Sequence, residues 1–253
     1  MTVPSLPVGP QSIRVFAGSR LPSLDREAFF KELGETFMPG TPFILAPLGL
    51  AAYVPAAPDF EPDTGLPDEL ALIVYASLDV YRAARQGSIT GRMYTHSHAA
   101  LFDMTRSRGQ FPGPPSAPDR LPVDDRWCWY LHDTPIEWQD GATRLLILRG
   151  RPPSGSLQEA LLQATTARAE DLAAAGVDQV IALATPDYAA LWLHSPGPVD
   201  AAPSALGIVP AGVEVVRDLV AAPAAIRSGS DSVAITGPAA FSFRFVRDLR
   251  FFL

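Results

Sequence analysis

Two stretches of this chain carry nearly the same pattern about half a chain length apart, which constrains the fold more than any single residue does. Ile13-Arg14-Val15-Phe16-Ala17 is strand-like and leads through Arg20-Leu21-Pro22-Ser23 into a helical stretch carrying Glu27-Ala28-Phe29. Leu145-Leu146-Ile147-Leu148 leads through Arg151-Pro152-Pro153-Ser154 into a stretch carrying Glu159-Ala160-Leu161. The two Arg-x-Pro-Ser segments start at positions 20 and 151, an offset of 131 in a chain of 253. A repeat of this size implies two copies of one small α+β unit. It predicts an extended N-terminal arm over 1–11, a first module over 12–138 and a second over 139–253.

Two modules of that length, with 47% hydrophobic residues, can each bury a working core. The net charge is −7 and the basic residues are dispersed. That argues against nucleic acid as a partner, because neutralising phosphates needs a basic face or stripe. No apolar run approaches the roughly 18 residues of a spanning helix, so no membrane segment is expected. The N-terminus lacks a basic region followed by an apolar one, and a cytoplasmic location is the expectation. The lone Cys128 excludes an intrachain disulfide framework.

Periodicity places strands at about 12–19, 50–54, 70–76, 127–132, 143–149 and 241–246, with a hairpin over 179–185 and 189–194. Helices are expected from a Ser23 cap through Phe37, ending at Pro39-Gly40, from a Ser77 cap, over about 92–105, and from Ser156, where Ser156-x-x-Glu159 is a capping-box pattern. A further helix is expected around Val213–Val220, with loop over 221–239. Read in order, each half gives β-α-β-β-α-β.

Two such units are two tandem ferredoxin-like modules of the α+β class, each an antiparallel sheet with helices on one face. The uncovered faces can bury each other, giving facing sheets, an α+β barrel. This order resembles the dimeric α+β-barrel superfamily, whose modules pair as dimers or are fused in one chain. Small quinone-forming monooxygenases, muconolactone isomerase-like proteins, chlorite dismutases and aldoxime dehydratases belong there. The resemblance implies a small-molecule ligand between the sheets, and admits a haem as cofactor. It carries over no catalytic residue.

Chemistry-bearing residues concentrate in two places. In Arg92-Met93-Tyr94-Thr95-His96-Ser97-His98, a helix would put Tyr94 and His98 on one face and Arg92 and His96 on another, so the two imidazoles could not share a metal. No metal site is expected. In Trp127–His132, alternation puts Cys128, Tyr130 and His132 on one face. Tyr188, Ala190, Trp192 and His194 share a face in the second half, and the two sets would meet between the sheets. His98, Tyr94, His96, Arg92 and His132 are thus the catalytic candidates, with Tyr130, Trp192 and His194 lining the substrate. No glycine-rich phosphate loop or nucleophile-elbow pattern is present.

Three readings stay open. The first is an enzyme or ligand-binding protein acting on an aromatic or polyketide-like compound in an inter-sheet cavity, by His-assisted proton transfer or oxygenation. The second is a haem protein with His98, His132 or His194 as axial ligand. The third is a non-catalytic protein-interaction module. The chain would act as a monomer or homodimer.

Overall fold

A computed structural model of the chain describes residues 7–58, 60, 64–197 and 205–221, together with the backbone of 232–235 and 241–244. Four strands make the first sheet: β1 (Ile13–Gly18), β2 (Leu50–Ala56), β3 (Glu69–Tyr75) and β4 (Arg108–Gln110), in the order β2-β3-β1-β4. The second sheet contains β5 (Asp119–Leu121), β6 (Arg126–Tyr130), β7 (Ala142–Gly150), β8 (Gln179–Ala184), β9 (Ala189–Ser195) and β10 (Val213–Ala221). Its order is β10-β7-β9-β8-β6-β5. Within it, β8-β9-β7-β10 repeats the order of the first sheet, strand for strand. All ladders are antiparallel. The chain is therefore an α+β protein built from two ferredoxin-like modules.

Three apolar layers hold it together. Between the sheets lie Val15, Val54, Leu72 and Val74 from one side and Ile147, Ile181, Leu183 and Trp192 from the other. The outer face of the first sheet packs under α1 (Arg26–Glu32), α2 (Met38–Leu45), α3 (Leu78–Arg82) and α4 (Ile89–Ser97), through Phe29, Leu33, Leu45 and Tyr94. The outer face of the second packs under α5 (Leu157–Ala167) and α6 (Ala169–Ala174), through Leu161 and Leu172. Polar contacts close the rim where the sheets meet: Gln139 Nε2 donates to the Ala51 carbonyl at 2.5 Å, and Val8 pairs with Ile136.

Several expectations need correction. The strand at 126–130 does not close the first sheet; it hydrogen-bonds to β8 in the second, and the three-residue β4 takes its place. Val213–Ala221 is a strand, not a helix. Its four valines favour a strand, but a register irregularity between Val215 and Arg217 breaks the two-residue alternation and produces a helix-like spacing. The strand near 241–246 does not complete the second sheet but pairs with 232–235, inside the expected loop. The rest of 222–253, like residues 1–6, lies outside the described residues.

The first helix is capped by Asp25, whose carboxylate accepts from Ala28 N at 2.8 Å, not by Ser23. Nor does it stop at Pro39-Gly40. A π turn over Leu33–Phe37 resets the hydrogen bonding, with Met38 N donating to the Leu33 carbonyl, so that Pro39 falls in a new first turn and needs no N–H donor. A second π turn, Ala83–Gly87, joins α3 to α4. The Ser77 and Ser156 caps form, Ser156 with its full capping box, and the helix expected over about 92–105 starts earlier, at Ile89, under a Ser88 cap, and ends at Ser97.

The inter-sheet layer can be tested at Leu72, fully buried there. Leu72→Ala should cost about 2–5 kcal/mol in urea unfolding; a loss below about 1 kcal/mol would mean that the sheets do not close on each other at that point.

Candidate active site

The space between the sheets is filled by side chains, and the polar groups gather elsewhere. Along β3, alternation sends Leu70, Leu72 and Val74 toward the second sheet and Glu69, Ala71, Ile73 and Tyr75 toward the helices. Along β1 the same rule sends Arg14 and Phe16 to the helix side. The helix side of the first sheet thus acquires a carboxyl, a guanidinium and two phenols, Tyr53 and Tyr75, under a helical roof.

Glu69 is the acid of this set. It is 1% exposed, and among the described residues its side chain has one hydrogen-bond partner, Tyr53, the phenol donating to Oε1 at 2.6 Å. Oε2 is buried with no partner. Burial pushes the carboxyl up to about 7, the Tyr53 hydrogen bond acting against it. Tyr53 is itself raised well above the usual phenol range by burial and then by Glu69. Next to this pair, Tyr94 and Thr41 lie 2.5 Å apart, and Thr41 donates onward to the Phe37 carbonyl at 2.9 Å. The Tyr94 hydroxyl therefore donates to Thr41 and keeps its lone pairs free.

His98 stands one helical turn beyond Tyr94. Its Nδ1 faces the Tyr94 carbonyl at 2.9 Å, which can only accept, so Nδ1 carries the proton and Nε2 a lone pair. The ring sits edge-on to Phe37 and Tyr94, each at 4.9 Å between centroids, and burial followed by the nearby Arg85 lowers its pKa to about 4. His98 is a neutral imidazole. Arg85, from the second π turn, stands 5.0 Å over the Tyr94 ring. Arg14, Phe37, Glu69, Arg85, Tyr94 and His98 border a common space of about 10 Å3, room for one water.

The other candidates lie apart from this chamber. Arg92 and His96 share the exposed face of α4, Arg92 donating to the Gln86 carbonyl at 2.7 Å. Tyr130 and Trp192 are packed in the inter-sheet layer with Cys128, whose thiol burial pushes up. His132 and His194 do meet, at an open pocket of about 570 Å3 beyond the end of that layer, where Glu137 and Asp178 join them. His194 is held at both nitrogens, by Asp178 at 2.6 Å and the Asp140 carbonyl at 2.8 Å. His132 is positioned through its backbone, which exchanges two hydrogen bonds with the Gln179 amide, and its Nε2 has no partner.

These residues do not fit a haem. His98 is enclosed by rings with space for one water, and His194 has no free nitrogen. His132 is left, beside Glu137 and Asp178, whose carboxylates would oppose haem propionates. Among the described residues no group of three or more His, Cys, Asp or Glu side chains comes together as a metal site, and no helix is long and apolar enough to cross a membrane.

No family model and no curated protein matches the chain. Three solved structures overlap it at low similarity. A proposed monooxygenase from Lactobacillus acidophilus NCFM is 10% identical, with a TM-score of 0.36 over 73% of this chain and 76% of its own. A proposed monooxygenase from Fusobacterium nucleatum is 9% identical, with a TM-score of 0.39 over 73% and 75%. An anthrone oxidase-like protein is 12% identical, with a TM-score of 0.37 over 86% and 95%. At these values the overlaps add nothing to what the strand order shows.

The raised Glu69 pKa has a stability signature. The unfolded carboxyl titrates near 4.5 and the folded one at about 7. Between those values the folded chain keeps a proton that the unfolded chain releases. Glu69 therefore costs nothing below about pH 4.5, and stability falls as pH rises toward 7 and then levels, by about 3 kcal/mol. Glu69→Gln should keep the Tyr53 hydrogen bond and remove this fall. Melting curves of the two proteins from pH 4 to 8 check it: a constant difference between them would show that Glu69 is not perturbed.

Proposed function

We propose that the chain is a small-molecule enzyme that removes a proton from an aromatic or polyketide-like compound, with Glu69 as general base in the chamber under the helices. One observation carries this reading: a fully buried carboxyl with one oxygen unpartnered, no cation bonded to it among the described residues, and a pKa of about 7. An uncompensated buried acid is costly. A base poised near neutral pH is what proton transfer needs.

The roles follow from the hydrogen bonds. Tyr53 donates to Oε1 and fixes the carboxylate so that the free lone pairs of Oε2 face the reacting proton. Tyr94, its own proton committed to Thr41, accepts a hydrogen bond from a substrate hydroxyl. His98 offers a second neutral acceptor at Nε2 and orients the substrate without exchanging its own proton. The histidine contribution is thus positioning, and the proton transfer falls to Glu69. Oxygenation at this site would begin with the same step, because a carbanion reacts with dioxygen where its parent C–H does not.

A ligand larger than water enters only if the roof lifts. The two π turns, Leu33–Phe37 and Ala83–Gly87, lie in the roof and contribute Phe37 and Arg85 to the chamber wall. Helices interrupted in this way often mark functional sites.

Benzylic exchange of 2-tetralone in D2O, followed by proton NMR, tests the proposal. The wild-type protein should accelerate exchange at C1. Glu69→Gln should lose at least about 100-fold of that acceleration, and Tyr53→Phe a smaller part. Exchange no faster than in buffer, or undiminished in Glu69→Gln, would remove Glu69 as a base.

A further inference from the structure

We infer that the end of this chamber away from Glu69 is an anion site, in which Arg14 and Arg85 receive the carboxylate of an aromatic acid. The inference names the substrate class for the site proposed above and rests on that reading of the chamber, but on different residues.

Arg14 is half-buried under the helices, and burial lowers its pKa. Its electrostatic neighbours are three tyrosines, Tyr81, Tyr94 and Tyr75, and a second cation, Arg85. Neither guanidinium meets a carboxylate among the described residues. By contrast Arg126 is paired with Asp124 and Arg144 with Asp218, each at 2.6 Å. Two cations gathered without a counter-ion are costly, and the cost is removed when an anion arrives.

The surroundings are shaped for that anion. Tyr75 lies within electrostatic reach of both guanidinium groups, and its hydroxyl is buried with no hydrogen-bond partner. It is a donor with nothing to donate to, beside two forks of N–H donors. The Arg14 guanidinium lies against the backbone of β4 at Gly109, where a Cβ would come within 2.1 Å of Cζ. Glycine there leaves the guanidinium its place at the sheet surface. Two guanidinium groups and a phenol suit a planar anion with two oxygens, because an arginine fork matches a carboxylate geometrically. Between this end and Glu69 the wall is aromatic, formed by Phe16, Phe37, Tyr94 and His98. An acid whose carboxylate sits at the arginines would thus lay its ring along these side chains, toward the base.

Calorimetric titration with 2-naphthoate and its neutral analogue 2-naphthamide tests the site without requiring any reaction. The wild-type protein should bind naphthoate at least about tenfold more tightly than naphthamide. Arg85→Gln, on a half-exposed helical position, should fold and lose that preference; Arg14→Gln should do the same. Glu69→Gln should bind naphthoate as tightly as wild type, or more tightly. Absence of naphthoate binding, equal affinity for acid and amide, or full affinity in Arg85→Gln would overturn the anion site. The outcomes separate the two proposals. Naphthoate binding that depends on the arginines, without tetralone exchange, would leave the anion site standing and remove Glu69 as base; the converse would do the opposite.

Discussion

The whole molecule depends on one apolar layer, the contact between the inner faces of the two sheets. A ferredoxin-like module covers one face of its sheet with its own helices and leaves the other bare. In this chain each module is the other's cover. Val15, Val54, Leu72 and Val74 meet Ile147, Ile181, Leu183 and Trp192, and close packing there leaves the layer no room for polar chemistry. The site must therefore lie outside that layer. His132 and His194 mark its open end, and Glu69 and Arg14 occupy the far side of the first sheet.

The two copies differ most on the sheet face turned to the helices. In the second module that face is Leu146, Leu148, Val180, Ala182, Ala189, Leu191 and Leu193, an ordinary apolar core under α5 and α6. In the first it holds Arg14, Tyr53, Glu69 and Tyr75 among its apolar residues. The shared architecture is kept where it is structural. The helix caps Asp25 and Ser156 preserve the offset of 131, since 25 plus 131 is 156. The strands do not keep it face for face: Phe16 looks to the helices, while Ile147, 131 residues on, looks to the other sheet. The repeated order supplies the frame, and the face on which the two halves differ holds the polar chamber.

Much of this was legible in the sequence wherever a period alone decides. The 3.6-residue period separated Tyr94 and His98 from Arg92 and His96 on α4, and the two-residue period put Cys128, Tyr130 and Trp192 on the inner face. Sheet membership was not legible, because β6 carries no mark of which sheet it joins and β4 is too short and polar to stand out. Glu69 was missed for a related reason. It precedes the apolar run Leu70–Tyr75, whose unbroken hydrophobicity hides which residues share a face. Arg14 did carry a signal, since it alternates with Phe16 on one face while Ile13, Val15 and Ala17 share the other. An arginine on the face of a buried phenylalanine is an exception to burial rules.

That Glu69 and Arg14 share a face is also the strongest physical argument that the chamber is not built for stability. They carry opposite charges, and pairing them would relieve both. The register of the first sheet forbids it. Glu69 stands opposite Gly18 and Arg14 opposite Ile73, which sets them four residues apart along β1, about 13 Å at the usual rise per residue. Ala71 and Ile73 fill β3 between them. A carboxyl left with an unpartnered oxygen at one end and, at the other, guanidinium groups that meet no carboxylate among the described residues are two separate costs, held apart by the same ladder. Sequences usually agree with their fold at every level, and the exceptions cluster where function overrides stability. Here the exceptions lie along one wall, and the aromatic side chains between them are long enough to line a substrate that reaches both.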